Sequence, residues 1–108
     1  MNQQEIGQQL ARLMAWYQSM CNGDWEHSYG VTLDTLDNPG WLLKVDLIET
    51  DLQGRVAELR QFNTGREQWW QARADGLKFE AAGGPLTLPL LIKAFFEFVD
   101  EHLNRPSV

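Results

Sequence analysis

The chain has 108 residues, a single cysteine and a formal net charge of −6, from 15 Asp and Glu against 9 Lys and Arg. This length predicts one domain, residues 1–108, that can bury an apolar core without disulfides. The absence of a long apolar run, of a signal peptide and of a basic stripe argues against contact with membranes or nucleic acid and favours a cytoplasmic protein.

The first predicted element is a helix over 3–21. Six apolar residues recur at spacings of three and four and form one stripe: Ile6, Leu10, Leu13, Met14, Tyr17 and Cys21. Asn2 is suited to cap the first turn, and Asn22-Gly23 is suited to end the helix, because both residues tolerate left-handed backbone. We therefore expect this stripe to cover part of the core.

A β-hairpin is predicted next, after a polar connector over 22–30. Apolar and polar residues alternate over 31–36 and over 41–48, which is the period of half-buried strands. The Asn38-Pro39-Gly40-Trp41 segment between them predicts a tight turn. In that turn Pro fixes φ at the second position and Gly supplies a positive φ at the third.

Three further strands are predicted over 55–62, 68–74 and 77–81. A loop over 63–66 separates the first two strands. The Asp75-Gly76 pair, which favours a type I′ turn, joins the last two into a second hairpin.

The last predicted element is a helix over 87–103, with Thr87 as its N-cap and Pro89 in its first turn. Its apolar face is wider than one sheet face requires. The sequence therefore predicts an α+β fold: an N-terminal helix, a five-stranded antiparallel meander sheet and a C-terminal helix, with both helices packed on one face of the sheet.

The excess of negative charge comes from one half of the chain. Residues 1–51 hold eight acidic and two basic residues, whereas residues 52–108 hold seven of each. A partner that recognises charge is therefore expected to bind the N-terminal half.

The most enzyme-like group is Cys21 with Asp24, Glu26 and His27. A nucleophilic thiol needs an electropositive setting, and these neighbours are acidic, so we predict a core thiol and no catalytic residue. His27 and His102 are the only histidines and lack metal-ligand spacing, so no metal and no cofactor are predicted. The alternative is a small-molecule-binding protein or small enzyme with a pocket near Cys21, Glu26 and His27.

Two other groups have open interpretations. Asp34 and Asp46 share the outward face of the predicted hairpin with Lys44 between them, which indicates either a solvated strand face or an acidic docking surface. Trp69 and Trp70 point to opposite faces of the fourth strand, so we expect one in the core and one directed outward.

Four segments of this sequence resemble the immunity protein 53 family: Trp16-Tyr17, residues 21–27 (CNGDWEH), Tyr29-Gly30 and residues 35–41 (TLDNPGW). The family consists of small bacterial proteins predicted to neutralise a cognate polymorphic toxin. The resemblance thus implies an inhibitor rather than an enzyme. Its partner would be a toxin domain, with a basic nuclease as one candidate.

For such an inhibitor, the charge and tryptophan content of this sequence lead us to expect an acidic, tryptophan-bearing surface that occludes the active site of the toxin. The predicted toxin-binding residues are Asp24, Trp25, Glu26, His27, Asp34, Asp37, Trp41 and Asp46. These residues could instead be structural, with aspartates capping turns and tryptophans closing the edge of the core. The wide face of the last helix also suggests self-association, so a monomer or a weak homodimer is expected.

Overall fold

A computed structural model describes residues 2–63, 65 and 68–103. Within these residues the elements are α1 Gln3–Met20, α2 Trp25–Ser28, β1 Val31–Leu36, β2 Gly40–Asp46, β3 Val56–Asn63, β4 Trp69–Asp75, β5 Lys78–Gly83 and α3 Leu88–His102. This confirms the predicted α+β fold, with each predicted helix and strand ending within two residues of its position in the structure. The short helix α2 lies in the segment predicted as a connector, because four residues are too few to show a helical period.

The five strands form one antiparallel sheet in the order β1-β2-β5-β4-β3. The predicted meander order is therefore wrong at one point, since β5 rather than β3 lies beside β2. The physical reason is burial: Phe79 and Ala81 of β5 are both buried, whereas most of β3 is exposed. The apolar strand takes the central position, and the polar strand becomes an edge.

The core lies between one face of the sheet and α3. The sheet contributes Leu43, Val45, Ala72, Ala74, Phe79 and Ala81, and α3 contributes Leu91, Ile92, Ala94, Phe95, Phe96, Phe98 and Val99. Leu47 and Leu52, from the segment that follows β2, complete this part of the core. The wide apolar face of α3 is thus buried within the chain. As predicted, Trp70 and Trp69 face opposite sides of β4: Trp70 packs against the core, and Trp69 lies on the face that no helix covers.

Helix α1 packs mainly on α3, from the same side of the sheet. Trp16 makes an edge-to-face contact with Phe95, with ring centroids 5.1 Å apart, and Arg12 forms an ion pair of 2.7 Å with Asp100. Only Leu13 of α1 is fully buried.

The expectation that the whole apolar stripe of α1 covers the core is wrong for four of its residues. Ile6, Leu10, Met14 and Tyr17 are 39, 47, 63 and 41% exposed. We call these four residues the α1 stripe. They remain uncovered because α3 already fills the space over the sheet, and α1 attaches to α3 through Leu13, Trp16 and Arg12 on its other side.

Both predicted turns form, but their backbone conformations differ from the predicted ones. Gly40 does not have a positive φ; a Cβ there would collide with the carbonyl oxygen of Gly83, and the Asn38–Pro39 peptide is cis. Between β4 and β5 the turn residues are Gly76 and Leu77, and only Gly76 has a positive φ, of 91°. This fits a type II′ rather than the predicted type I′ turn.

The predicted loop over 63–66 includes Thr64 and Arg66, which lie outside the described residues. In the part of the chain that the structure describes, no helix is long and apolar enough to cross a membrane.

Candidate functional site

Five of the eight acidic residues of the N-terminal half lie at one end of the β1–β2 hairpin. The indole Nε1 of Trp25 donates to the carbonyl oxygen of Ile48 at 2.9 Å, which holds α2 beside the segment that follows β2. The carboxylate of Asp46 accepts from the backbone amide of Gly30, also at 2.9 Å. These two contacts gather five acidic residues, which we call the acidic end: Asp24, Glu26, Asp46, Glu49 and Asp51.

The acidic end is not neutralised by the basic residues of its own half of the chain. Arg12 is paired with Asp100 on α3, and Lys44 lies opposite Glu80 in the sheet. Among the described residues, the ion pairs found within 4 Å involve none of the five acids of the acidic end. Lys78 of β5 lies opposite Asp46 but forms its ion pair with Glu80, at 3.2 Å. This part of the surface therefore presents negative charge that no ion pair compensates.

Glu26 has a structural role within the acidic end. Its carboxylate accepts hydrogen bonds from the backbone amides of Asn22 and Gly23, at 3.0 and 2.9 Å. The hydrogen bond from its own backbone amide, followed by those from Asn22 and Gly23, lowers the pKa of the Glu26 carboxyl. The ionised side chain thereby fixes the chain between α1 and α2.

Trp25 is part of the interior, with only 3% of its surface exposed. Its ring lies 6.1 Å from that of Trp16 and 6.3 Å from those of Tyr17 and Tyr29. Together with the hydrogen bond to Ile48, this packing favours the structural interpretation of Trp25, in which it closes the edge of the core.

Trp41 and Asp37 lie at the opposite end of the hairpin from the acidic end. The indole of Trp41 is half-buried and donates to the carbonyl oxygen of Pro85 at 2.9 Å, whereas Asp37 is exposed in the turn. Since β2 has seven residues, about 20 Å separates the two ends. The eight predicted residues therefore do not form one surface.

Four of the predicted residues are exposed: Asp24, His27, Asp34 and Asp37. Asp34 lies on the face of the sheet that no helix covers, and its carboxylate accepts from the adjacent Thr35 amide at 2.8 Å. Asp46, on the same face, is half-buried and held by Gly30.

Glu49 and Asp51 were missed as site residues because they follow the segments that resemble the family. The excess of negative charge within residues 1–51 is the sequence signal that includes them.

The α1 stripe adjoins the acidic end. Tyr17, the last residue of the stripe, contacts the Trp25 ring beside Asp24 and Glu26, and the stripe continues from there through Met14 towards Ile6. An exposed apolar strip next to uncompensated charge has the composition of a protein–protein interface.

The structure gives little support to a pocket near Cys21. The thiol of Cys21 is half-buried, lies outside the core cluster and donates to the Tyr17 carbonyl oxygen at 3.3 Å, so its interpretation as a core residue is wrong. The Glu26 carboxylate is directed at backbone amides rather than at a cavity. Across the described residues, no group of three or more His, Cys, Asp or Glu is placed to hold a metal ion.

A depression of about 270 Å³ lies elsewhere, on the uncovered face of the sheet, between Leu42 and Arg73. Its lining carries one basic and one acidic residue, Arg73 and Glu80, which lie opposite each other in the register of the sheet. The depression is therefore not part of the acidic end.

A comparison with protein families gives one match. The model of the family described as Immunity protein 53 matches residues 10–100. No curated protein and no solved structure matches the chain. The matched range includes the acidic end, the β1–β2 hairpin, the whole sheet and most of both long helices.

Proposed function

The chain belongs to the immunity protein 53 family, and on this premise we propose that it protects its cell by binding a cognate polymorphic toxin and occluding the active site of that toxin. The family match over residues 10–100 is the observation that carries this proposal. We propose that inhibition is steric and electrostatic and that it requires no catalytic step.

The acidic end supplies the electrostatic part of this mechanism. Its five acids carry no partner among the ion pairs of the described residues, so they attract a basic surface over a distance of about a Debye length. A toxin that acts on nucleic acid needs a basic groove for its substrate, and an acidic inhibitor competes for that groove. Asp24, Glu49 and Asp51 are its exposed members and the proposed contacts.

The α1 stripe supplies the apolar part. Met14 and Leu10 are 63 and 47% exposed, and the helix carries only Glu5 and Arg12 as charged residues, the latter already paired with Asp100. Desolvation of such residues provides most of the affinity of protein interfaces, whereas surrounding charges set the association rate and the specificity. His27 of α2 is exposed, directly follows Glu26 of the acidic end in sequence and is a further proposed contact.

Co-expression tests the proposal. The protein is produced together with the toxin domain encoded beside its gene; growth is scored, and the complex is isolated by affinity pulldown and size-exclusion chromatography. We expect growth to be restored and a stable complex to be recovered. Restored growth without a complex would indicate enzymatic reversal of the damage and would contradict the proposal.

Charge reversal tests the acidic end itself. We predict that Asp51→Lys lowers the association rate constant for the toxin by about tenfold at low salt, with a smaller effect at high salt. Glu58→Lys on β3 is the matched control, because it makes the same change of charge at an exposed site outside the acidic end. Equal effects of the two variants would show that only net charge matters and would exclude the acidic end as the docking surface.

A further inference from the structure

The outer edge of β1 has outward-pointing backbone groups at every second residue, and of these the Thr35 amide donates to the Asp34 carboxylate at 2.8 Å. The amide of Asp46 donates to the carbonyl oxygen of Gly30, and residues 30 and 46 continue the β1–β2 register. Because the hydrogen-bonding direction alternates along an antiparallel strand, Thr32, Asp34 and Leu36 face β2. The N–H and C=O groups of Val31, Leu33 and Thr35 therefore point away from the sheet.

The two edges of the sheet differ in their protection against pairing. The β3 edge has a register irregularity between Ala57 and Arg60 and carries the charged residues Glu58 and Arg60, which are features that discourage strand addition. The β1 edge is regular, with four consecutive exposed residues from Thr32 to Thr35, and Asp34 is its single charged residue. The β1 edge is thus the one that is open to another strand.

We propose that the β1 edge binds the β1 edge of a second copy of this chain, which gives a twofold-symmetric dimer with a continuous sheet. Because only residues 31, 33 and 35 point their backbone groups away from the sheet, the two β1 strands can pair only in registers that place these residues opposite one another. The register with the longest overlap centres on Leu33, so that Leu33 lies opposite its own counterpart and Val31 lies opposite Thr35.

Side-chain chemistry favours this register. It places Asp34 opposite Thr32 of the second copy, a carboxylate opposite a hydroxyl, so the two copies of Asp34 do not face each other. In the neighbouring register, Leu33 would lie opposite Thr35 of the second copy. The two Asp34 carboxylates would then lie directly opposite each other, which is unfavourable. In the dimer the Thr35 amide, now bonded to Asp34, donates across the interface and releases the Asp34 carboxylate for Thr32. This inference does not depend on the proposed toxin binding.

Disulfide trapping tests the register. Leu33→Cys in a Cys21→Ala background places two thiols opposite each other, at a Cα–Cα distance of about 5.5 Å, which permits a disulfide. Thr35→Cys in the same background is the matched control, since its two copies lie about 13 Å apart along the strands. Both positions are exposed, so neither change should prevent folding. With oxidised glutathione as the oxidant, we expect at least about tenfold more covalent dimer from Leu33→Cys than from Thr35→Cys.

Sedimentation and amide chemical shifts of the unmodified chain test the dimer independently. We expect the dimer fraction to rise with protein concentration and the concentration-dependent shifts to lie in residues 31–35. Equal trapping of the two cysteine variants, or shifts centred on the α1 stripe, would overturn the proposal. A monomer at every concentration would also overturn it, and shifts in residues 31–35 on addition of toxin alone would assign the edge to the toxin.

Discussion

Glu26 illustrates at the scale of one residue how the acidic end combines structure with charge. Hydrogen bonds from backbone amides lower the pKa of the Glu26 carboxyl in the folded chain, and the bond from its own amide has the largest effect. The unfolded chain therefore binds a proton to this group more readily than the folded chain does. The contribution of the ionised carboxylate to stability is present above the unfolded pKa of about 4.3 and is lost as pH falls through the lower folded pKa.

We predict that Glu26→Gln destabilises the protein at pH 7. The difference in stability between this variant and the unmodified chain should shrink as the pH falls below about 4. The measurement is the urea midpoint at a series of pH values. Glu58→Gln, at an exposed position on β3, serves as the control and should have little effect throughout. A loss of stability at Glu26 that does not change with pH would show that the charge of the carboxylate is unimportant.

Trp25 and Trp41 show that the hydrogen-bond partner of a side chain cannot be predicted from the sequence when it lies far away in the chain. Each indole donates to a backbone carbonyl oxygen far away in the chain, that of Ile48 or that of Pro85. Position 40 requires glycine because a Cβ there would collide with the backbone of Gly83 in β5, which does not follow β2 in the chain. No local pattern identifies such partners, so residues of the family-like segments that determine the fold could not be separated from those available for binding.

At the scale of elements, the predictable features were local ones. Alternation and turn residues located the strands, because both depend on neighbours within a few positions. The place of β5 in the sheet depends on which strand edge meets β2, and that is decided by burial of Phe79 and Ala81 in the complete core. The period of α1 likewise identified an apolar face but not whether anything covers it.

The weak attachment of α1 makes its stability sensitive to intrinsic helix propensity. Gly7 lies in this helix, and a Cβ added there would meet no atom within 4 Å. We predict that Gly7→Ala raises the free energy of unfolding by about 0.5–1 kcal/mol, as measured by urea denaturation. Gly23→Ala is the matched control: it also meets no atom within 4 Å, but its φ of 97° makes the same change destabilising. An unchanged stability for Gly7→Ala would show that α1 does not unfold together with the core.

At the scale of the whole molecule, charge and apolar surface are distributed unevenly over the two sides of the sheet. The uncovered face carries both signs of charge: Glu80 lies opposite Lys44 and Arg73 in the register and forms an ion pair of 3.2 Å with Lys78, so Asp34 lies on a mixed, solvated face. The uncompensated acids and the α1 stripe lie next to each other, joined by the contact of Tyr17 with Trp25. A basic partner would therefore find both steering charge and apolar surface at one place.

This arrangement predicts that the two surfaces contribute to different rate constants of toxin binding. Leu10→Gln combined with Met14→Gln removes apolar surface without changing charge and keeps residues of good helix propensity. We expect the pair to raise the dissociation rate constant by at least about tenfold, with little effect on association. The free energy of unfolding of this double variant should stay within about 0.5 kcal/mol of that of the unmodified chain, because both positions are exposed.

The matched control for the stripe is Leu59→Gln combined with Leu86→Gln, which also replaces apolar side chains by amides, at residues that are 51 and 85% exposed and belong to neither the α1 stripe nor the acidic end. Combined with Asp51→Lys, the stripe variant should give an additive loss of affinity, since one change slows association and the other speeds dissociation. If the stripe variant binds the toxin normally while Asp51→Lys does not, the acidic end docks without α1. The exposed helix face would then have to be explained by a different contact.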